Sequence, residues 1–406
     1  MVHELRRQPF RSLYLFLQVA ITLAVRIPFW TLSHLYRRPR PSWSLFTTLG
    51  TFTLRLFSEF GPIAEKVGPV RFWPDHRAIL EGPGVKGVWL SPNSSCILGA
   101  IKEWAAAASV QSTRIPGYWI DKPGSNTQVG DEPSPDEKVI LYLHGGGFIS
   151  ESAHPSSILS TTPRSILSHC PSSGAKRALA VEYRLCELSP VYTNPFPAAL
   201  IDAITGYCYL VMEVGFKPEN IIFVGDSAGG NLALALARYL ADNSAELALA
   251  MGRSTDGRPL DYQMILLSPW SDLGTSHETP ESALLNNNHD FLVDVRTGLF
   301  AHARRAYAGP LGFSATDANP YLSPASKFVN ASFSGFPRTF IELGDAERFL
   351  DMCRSLRDAM VRDMGPDRVG YYEAPDAVHD HLVLPIKASA KREALRAIED
   401  WFADAK

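Results

Sequence analysis

Asn220-Ile-Ile-Phe-Val-Gly-Asp-Ser-Ala-Gly229 decides how this chain is read. An apolar, β-type run ends at Val224, and helix-forming residues run from Ala228 to Ala241. Between them lies Gly225-Asp-Ser-Ala-Gly229, a G-x-S-x-G pattern. On a sharp strand-to-helix turn this pattern pushes the central hydroxyl outward, and small neighbours are needed because the backbone is crowded. The helix start adds free N–H groups and the positive end of its dipole. With Gly and Ser each near 7% of an average chain, the bare pattern arises by chance in roughly one chain in ten of this length. The flanking strand and helix make it specific.

Outward from this turn, short apolar runs alternate with helical stretches. Strands are expected at Val85–Leu90, Arg114–Ile120, Lys138–Leu143, Ala178–Tyr183, Asn220–Val224, Gln263–Leu267, Arg338–Leu343 and Val369–Glu373. Helices are expected over Ala198–Val214 and Ala228–Ala241. Others are marked by Phe349, Leu350, Cys353, Leu356 and Met360, and by Ala390, Ala394, Ala397, Ile398 and Trp401. Such alternation predicts an α/β fold with a mostly parallel sheet covered on both faces. Residues 41–84 and 274–336, the latter with one helical piece around Val293–Tyr307, fit it poorly. Long insertions at strand ends of such a sheet usually cover the active site.

Composition narrows the class. The 406 residues carry 39 Lys and Arg against 42 Asp and Glu, a net charge of −3. A nucleic-acid binder would show a basic excess, which is missing. Hydrophobic residues at 46% are enough for a sizeable core. Cys96, Cys170, Cys186, Cys208 and Cys353 are widely spaced, with no C-x-x-C pair. Neither a zinc site built on that spacing nor a dense disulfide framework is expected, and the cysteines read as small core hydrophobes.

Three further patches carry chemistry. His144-Gly-Gly-Gly-Phe148 follows the strand 138–143, and consecutive glycines let backbone N–H groups point at a developing oxyanion. His144 itself reads as a shaping residue of that loop. A base is sought in Glu373-Ala-Pro-Asp-Ala-Val-His-Asp-His-Leu382, where His379 and His381 both qualify. An acid to orient it is sought in Gly344-Asp-Ala-Glu-Arg-Phe-Leu-Asp351, where Asp345, Glu347 and Asp351 compete.

His144-Gly-Gly-Gly147, Tyr183-Arg-Leu185 and Gly225-Asp-Ser-Ala-Gly-Gly230 together resemble the hormone-sensitive-lipase family of α/β-hydrolases, with its arylacetamide-deacetylase-like and steryl-acetyl-hydrolase-like esterases. The resemblance covers about residues 85–403. It implies an eight-stranded α/β-hydrolase core, helices on both faces and a helical cap. It also implies a serine esterase in which Ser227 is nucleophile and His379 base, with backbone N–H groups of Gly146, Gly147 and Ala228 as the oxyanion hole. The family's acid is the first Asp of D-x-L-x-D. Glu347-Arg-Phe-Leu-Asp351 keeps that spacing with Glu first, which favours Glu347 over Asp345. Other departures are Glu182 before Tyr-Arg-Leu and a longer Cys186-Glu-Leu-Ser-Pro190 linker. The implied substrate is a hydrophobic ester such as a lipid, sterol or natural-product acetate, and no cofactor or metal is implied. An acyltransferase, lactonase or amidase would use the same triad. A gibberellin-receptor-like binding protein of this fold would lack the catalytic His, which this chain keeps.

The N-terminus is different. Ser12–Val25 holds no charge, with Arg6, Arg7 and Arg11 before it and Arg26, Arg37, Arg38 and Arg40 after. Those residues as helix rise about 21 Å, short of a ~30 Å hydrocarbon core. If Arg26 snorkels, the run reaches Leu32 and nearly spans, with Pro28 expected to kink it. A membrane anchor, a signal peptide and a helix packed on the protein's own surface are the alternatives. No small-x-small cleavage pattern follows the run. The expectation is a membrane-associating segment over residues 1–40, with the endoplasmic reticulum as the candidate membrane. A hydrolase domain over 41–406 follows, its cap drawn from about 41–84 and 274–336. Oligomeric state is left open.

Overall fold

The computed structural model describes residues 8–59, 76–187, 192–251, 262–384 and 386–404. Arg6 and Arg7, residues 60–75 of the first expected cap segment, and Leu188–Pro190 of the linker lie outside them.

The apolar runs form eight strands: β1 (Lys86–Leu90), β2 (Ile115–Asp121), β3 (Lys138–Leu143), β4 (Ala175–Val181), β5 (Ile221–Asp226), β6 (Gln263–Leu267), β7 (Arg338–Gly344) and β8 (Val369–Ala374). They make one sheet in the order β1-β2-β4-β3-β5-β6-β7-β8. β2 pairs antiparallel with β1 and β4, and the other pairings are parallel. β4 ends two residues before the expected boundary. The Glu182 N–H still donates to the Pro116 carbonyl of β2, while its carboxylate accepts from Ser152 and from the Ala153 N–H, and the Tyr183 hydroxyl donates to the His144 carbonyl.

Period-two alternation splits the core between the faces. Val139, Leu141 and Leu143 of β3 point to one side with helices Ala198–Cys208, Ala228–Asp242 and Leu350–Met364. Ile140 and Tyr142 point to the other, with helices Thr161–His169 and Ala388–Ala403. All five cysteines are buried and free. The helix expected over 198–214 closes with a π-helical turn, Tyr209–Val214, stopped by Gly215 at φ 92°.

The N-terminal apolar run is helical over Phe10–Ile21 and Ile27–Tyr36, joined by a π-helical turn at Thr22–Arg26. Pro28, where a kink is expected, follows this wider turn at the start of the second helical stretch. Ser12–Tyr36 is one helix of 25 residues, long and apolar enough by length and composition to cross a membrane. Phe16, Leu23, Phe29 and Leu32 on it are exposed, so it does not pack on the protein's own surface there. Its C-terminal end leans on helix Leu45–Glu59, with Trp30 edge-on to Phe52 at 5.6 Å and His34 Nδ1 at 2.8 Å from the Thr48 hydroxyl.

Candidate active site

The residues singled out in the sequence follow the C-terminal ends of parallel strands, where α/β sheets bind ligands. Ser227 follows β5, the glycine loop follows β3, Glu347 follows β7 and His379 follows β8.

Ser227 sits at φ 50° and ψ −116°, a conformation that L-residues rarely adopt and that a sharp strand-to-helix turn imposes. Its N–H donates to the Leu267 carbonyl at 2.9 Å, and its carbonyl accepts from the Trp270 N–H at 2.9 Å, tying the bend to the end of β6. The turn is crowded: a side chain on Gly229 would collide with the Leu143 carbonyl. Ala228 is the first residue of helix Ala228–Asp242, whose opening N–H groups have no partner within the helix.

Gly146 lies at φ 106° and Gly147 at φ 64°. A side chain on Gly146 would meet the Ser150 carbonyl. Asp226, the residue before Ser227, aligns this loop. Its Oδ2 accepts from the Gly145 N–H at 3.0 Å and its Oδ1 from the Tyr142 hydroxyl at 2.6 Å. Burial raises the Asp226 carboxyl well above its ordinary range, Asp380 adding to the rise and His379 opposing it. His144 stacks on Tyr183 at 4.2 Å, and its Nδ1 is 2.7 Å from the Gly145 carbonyl. Burial lowers it to about 4, so the ring is neutral and shapes the loop.

His379 is 2% exposed. Its Nδ1 stands 3.7 Å from Glu347 Oε1, and its Nε2 is 3.2 Å from Asp380 Oδ2. The 3.7 Å separation from Glu347 is an ion-pair contact and is longer than a hydrogen bond. Burial alone would lower the imidazole, but Asp380 and Glu347 outweigh it and raise it well above the ordinary value. Phe349 meets the ring edge-on at 4.9 Å.

The competing candidates are otherwise engaged. His381 Nε2 faces Glu342 Oε1 at 3.0 Å. Asp345 accepts from the Asp376 N–H at 2.7 Å, and Asp351 from the Ala283 N–H at 2.6 Å. Glu347 is fully buried, and among the three acids it alone forms an ion-pair contact with His379.

Three residues at the site were not singled out in the sequence. Ser268, directly after β6 at φ 43°, donates to Glu347 Oε2 at 2.7 Å and accepts from the Asp380 N–H at 3.2 Å. Asp290 accepts from the N–H groups of Arg348 and His379, and burial lifts it to about 6. Asp380 is the third. Helix Gly298–Ala308 covers the glycine loop: Phe148 stacks on Tyr307 at 3.7 Å, and Phe300 meets Trp270 at 5.5 Å.

A second Ser–His–carboxylate chain lies elsewhere. His277 Nδ1 is 2.6 Å from Asp272 Oδ2, and its Nε2 is 2.9 Å from the Ser355 hydroxyl. Ser355 stands within helix Leu350–Met364, whose N–H groups there bond along the helix, so the chain has no oxyanion donors of the kind offered at Ser227. A hollow of about 570 Å3 lined by Ile79, Val85, Gly87 and Trp89 flanks β1 and contains none of the residues above. Among the described residues no group of three or more His, Cys, Asp or Glu is arranged to hold a metal ion.

Residues 140–383 match the family described as alpha/beta hydrolase fold. The chain is 32% identical over 272 residues to an acetyl-hydrolase of Streptomyces hygroscopicus, covering 65% of this chain and 74% of that one. It is 28% identical over 263 residues to the esterase LipU of Mycobacterium tuberculosis, covering 64% and 75%. Among solved structures it resembles the esterase EstE5 soaked with p-nitrophenyl butyrate (TM-score 0.50, 25% identity, 71% of this chain and 82% of that one). A hormone-sensitive lipase from a metagenome library shares the fold (TM-score 0.53, 22% identity, 86% and 98%).

Proposed function

The chain belongs to the hormone-sensitive-lipase-like α/β-hydrolases, and from that membership we propose a serine carboxylesterase that deacylates esters of hydrophobic small molecules, acetates among them. In this reading the Ser227 hydroxyl attacks the ester carbonyl while His379 takes its proton. Glu347 orients the imidazole and stabilises its cation. The negative charge on the carbonyl oxygen is met by the N–H groups of Gly146, Gly147 and Ala228, each such donor contributing about 3–4 kcal/mol to the transition state. His379 passes its proton to the departing alcohol, and a water activated by the same ring releases the acid. None of these steps calls for a cofactor.

The observation that carries the reading is the bend at Ser227, held at φ 50° between β5 and its helix beside the Gly146–Gly147 loop. The preference for hydrophobic esters is supported by the apolar surroundings of His379, where Phe349 meets the imidazole and stacks on the buried Trp270 at 5.7 Å. The exposed apolar arm supports seating at a membrane. The reading is tested by Ser227→Ala. Hydrolysis of p-nitrophenyl acetate should disappear while circular dichroism stays that of the parent protein. Persistent turnover in a clean preparation would overturn the nucleophile assignment.

A further inference from the structure

Residues 40–47 precede the sheet and lie outside residues 140–383, which match the hydrolase family. Their contacts nevertheless converge on the two loops that carry Glu347 and His379. Trp43 is fully buried, and its indole N–H donates to the Asp376 carbonyl at 2.7 Å. The Ser42 N–H donates to the Asp376 carboxylate at 3.1 Å. Asp376 is held at φ 53°, three residues before His379, and its own N–H donates to Asp345. The loops also join directly, the Ala346 N–H donating to the Ala377 carbonyl at 2.9 Å. The indole packs against Ala346, the neighbour of Glu347, and against Val378, the neighbour of His379, with Ile386 closing the cluster.

Two more lines run from the same segment to the same place. Arg40 donates to the Asn287 side-chain oxygen at 3.3 Å, and the Asn287 amide donates to the Glu347 carbonyl at 2.7 Å. Trp43 also meets His289 edge-on at 6.4 Å, beside Asp290, which accepts from the His379 N–H. One side chain thus borders the residues next to both the acid and the base. Moving it shifts both loops, because interiors are packed too densely to deform at one point only.

We propose that Trp43 is a positioning residue for the reaction, holding the Glu347 and His379 loops at their working separation. This rests on the esterase reading above. It makes the segment after the apolar arm part of the catalytic unit.

The test uses the full chain and two substitutions, read by p-nitrophenyl acetate kinetics and by the rate of fluorophosphonate labelling of Ser227. Trp43→Ala is expected to lower kcat roughly a hundredfold, the scale of an ångström misplacement, with KM within about twofold. Trp43→Phe keeps an aromatic ring in the cluster and removes the N–H donor together with part of the buried volume. It should recover part of that loss, remaining roughly tenfold below the parent in kcat and labelling rate, in a protein that stays folded at the assay temperature though its melting temperature falls by several degrees. A folded Trp43→Phe with parental kcat and labelling rate overturns the proposal, and decides the matter even if Trp43→Ala fails to fold. Leu23→Ala, on the exposed arm, should match the parent on this soluble substrate. If the parent itself neither turns over ester nor takes the label, the esterase reading has failed instead.

Discussion

The Ser268 hydroxyl donates to Glu347 at 2.7 Å, and the same oxygen accepts from the N–H of Asp380, the residue after His379. One small side chain at the end of β6 thereby bridges the loop that carries Glu347 and the loop that carries His379. Glu347 Oε2 is also held by the Gly344 N–H at 3.0 Å, which leaves Oε1 to face the imidazole. Removing a hydrogen bond to a carboxylate costs about 1.5–3 kcal/mol. Ser268→Ala should therefore lower kcat by roughly 10- to 100-fold, with little change in KM, because the interaction orients the acid without touching substrate. Steady-state kinetics with p-nitrophenyl acetate check this; an unchanged kcat would remove Ser268 from the machinery.

The acid assignment predicts a contrast between neighbours. Glu347→Gln keeps the shape but loses the charge that stabilises the imidazolium, a loss on the scale of 10⁴ in kcat for such a carboxylate. Asp345→Asn should leave kcat within a few-fold of the parent, since its carboxylate is spent on the Asp376 N–H. If Asp345→Asn were the crippled variant, the roles would have to be exchanged.

The pH dependence follows from the charges around His379. Asp380, Glu347 and Asp290 face it, and Asp226 lies beyond. Carboxylates favour the imidazolium, so the ring gives up its proton only on the alkaline side of the ordinary 6.5. In the proposed reaction the neutral ring accepts the Ser227 proton. Activity is thus low in acid and rises as pH climbs through the raised value. Asp380→Asn removes the strongest of the attractive charges, so His379 should titrate lower and the acid limb of kcat/KM should move toward lower pH. A limb that stays put, or moves to higher pH, contradicts this electrostatic account.

The Ser355–His277–Asp272 chain supplies an internal comparison. Its spacings are shorter than those around His379, yet its serine lies within a helix. Peptide mapping after fluorophosphonate treatment should find the label on Ser227 and leave Ser355 unmodified. Labelling of Ser355 in Ser227→Ala would show that a hydrogen-bonded His–Asp pair suffices without preorganised donors.

These contrasts mark what a sequence discloses. All eight strands were legible because buried strands are short apolar runs, and two of them, β3 and β6, matched to the residue. Ser227 was legible because a crowded turn admits few side chains. Ser268 was not, since a serine after a strand carries no pattern; what matters is that β6 lies beside β5 and β7. Asp290 sits in a loop-rich stretch without periodicity, and only the folded chain brings it to the His379 N–H. Trp43 lies in residues 41–84, a stretch that fits the strand–helix alternation poorly and marks no single aromatic residue. Its contacts reach 333 residues along the chain, and no local signal encodes such a distance.

The arm gives the last prediction. Arg26 is the one Arg, Lys, Asp or Glu inside the 25-residue helix Ser12–Tyr36, and it has polar partners on that helix. Its guanidinium donates to Gln18 Oε1 at 3.2 Å and to the Thr22 hydroxyl at 3.0 Å, placing its partners along the same helix. Polar groups paired in this way cost less in hydrocarbon than a bare charge does. The helix at 1.5 Å per residue measures about 37 Å, more than the ~30 Å apolar slab. An unpaired aspartate near its middle costs about 2.5–3.5 kcal/mol on insertion. Leu23→Asp should therefore reduce the fraction that sediments with phospholipid vesicles, whereas Arg26→Leu should retain or increase it. Both should keep the parental kcat on soluble p-nitrophenyl acetate, because the exposed arm makes none of the contacts that hold Glu347 and His379. Equal sedimentation of parent and Leu23→Asp would overturn the proposal that this helix carries the protein to a bilayer.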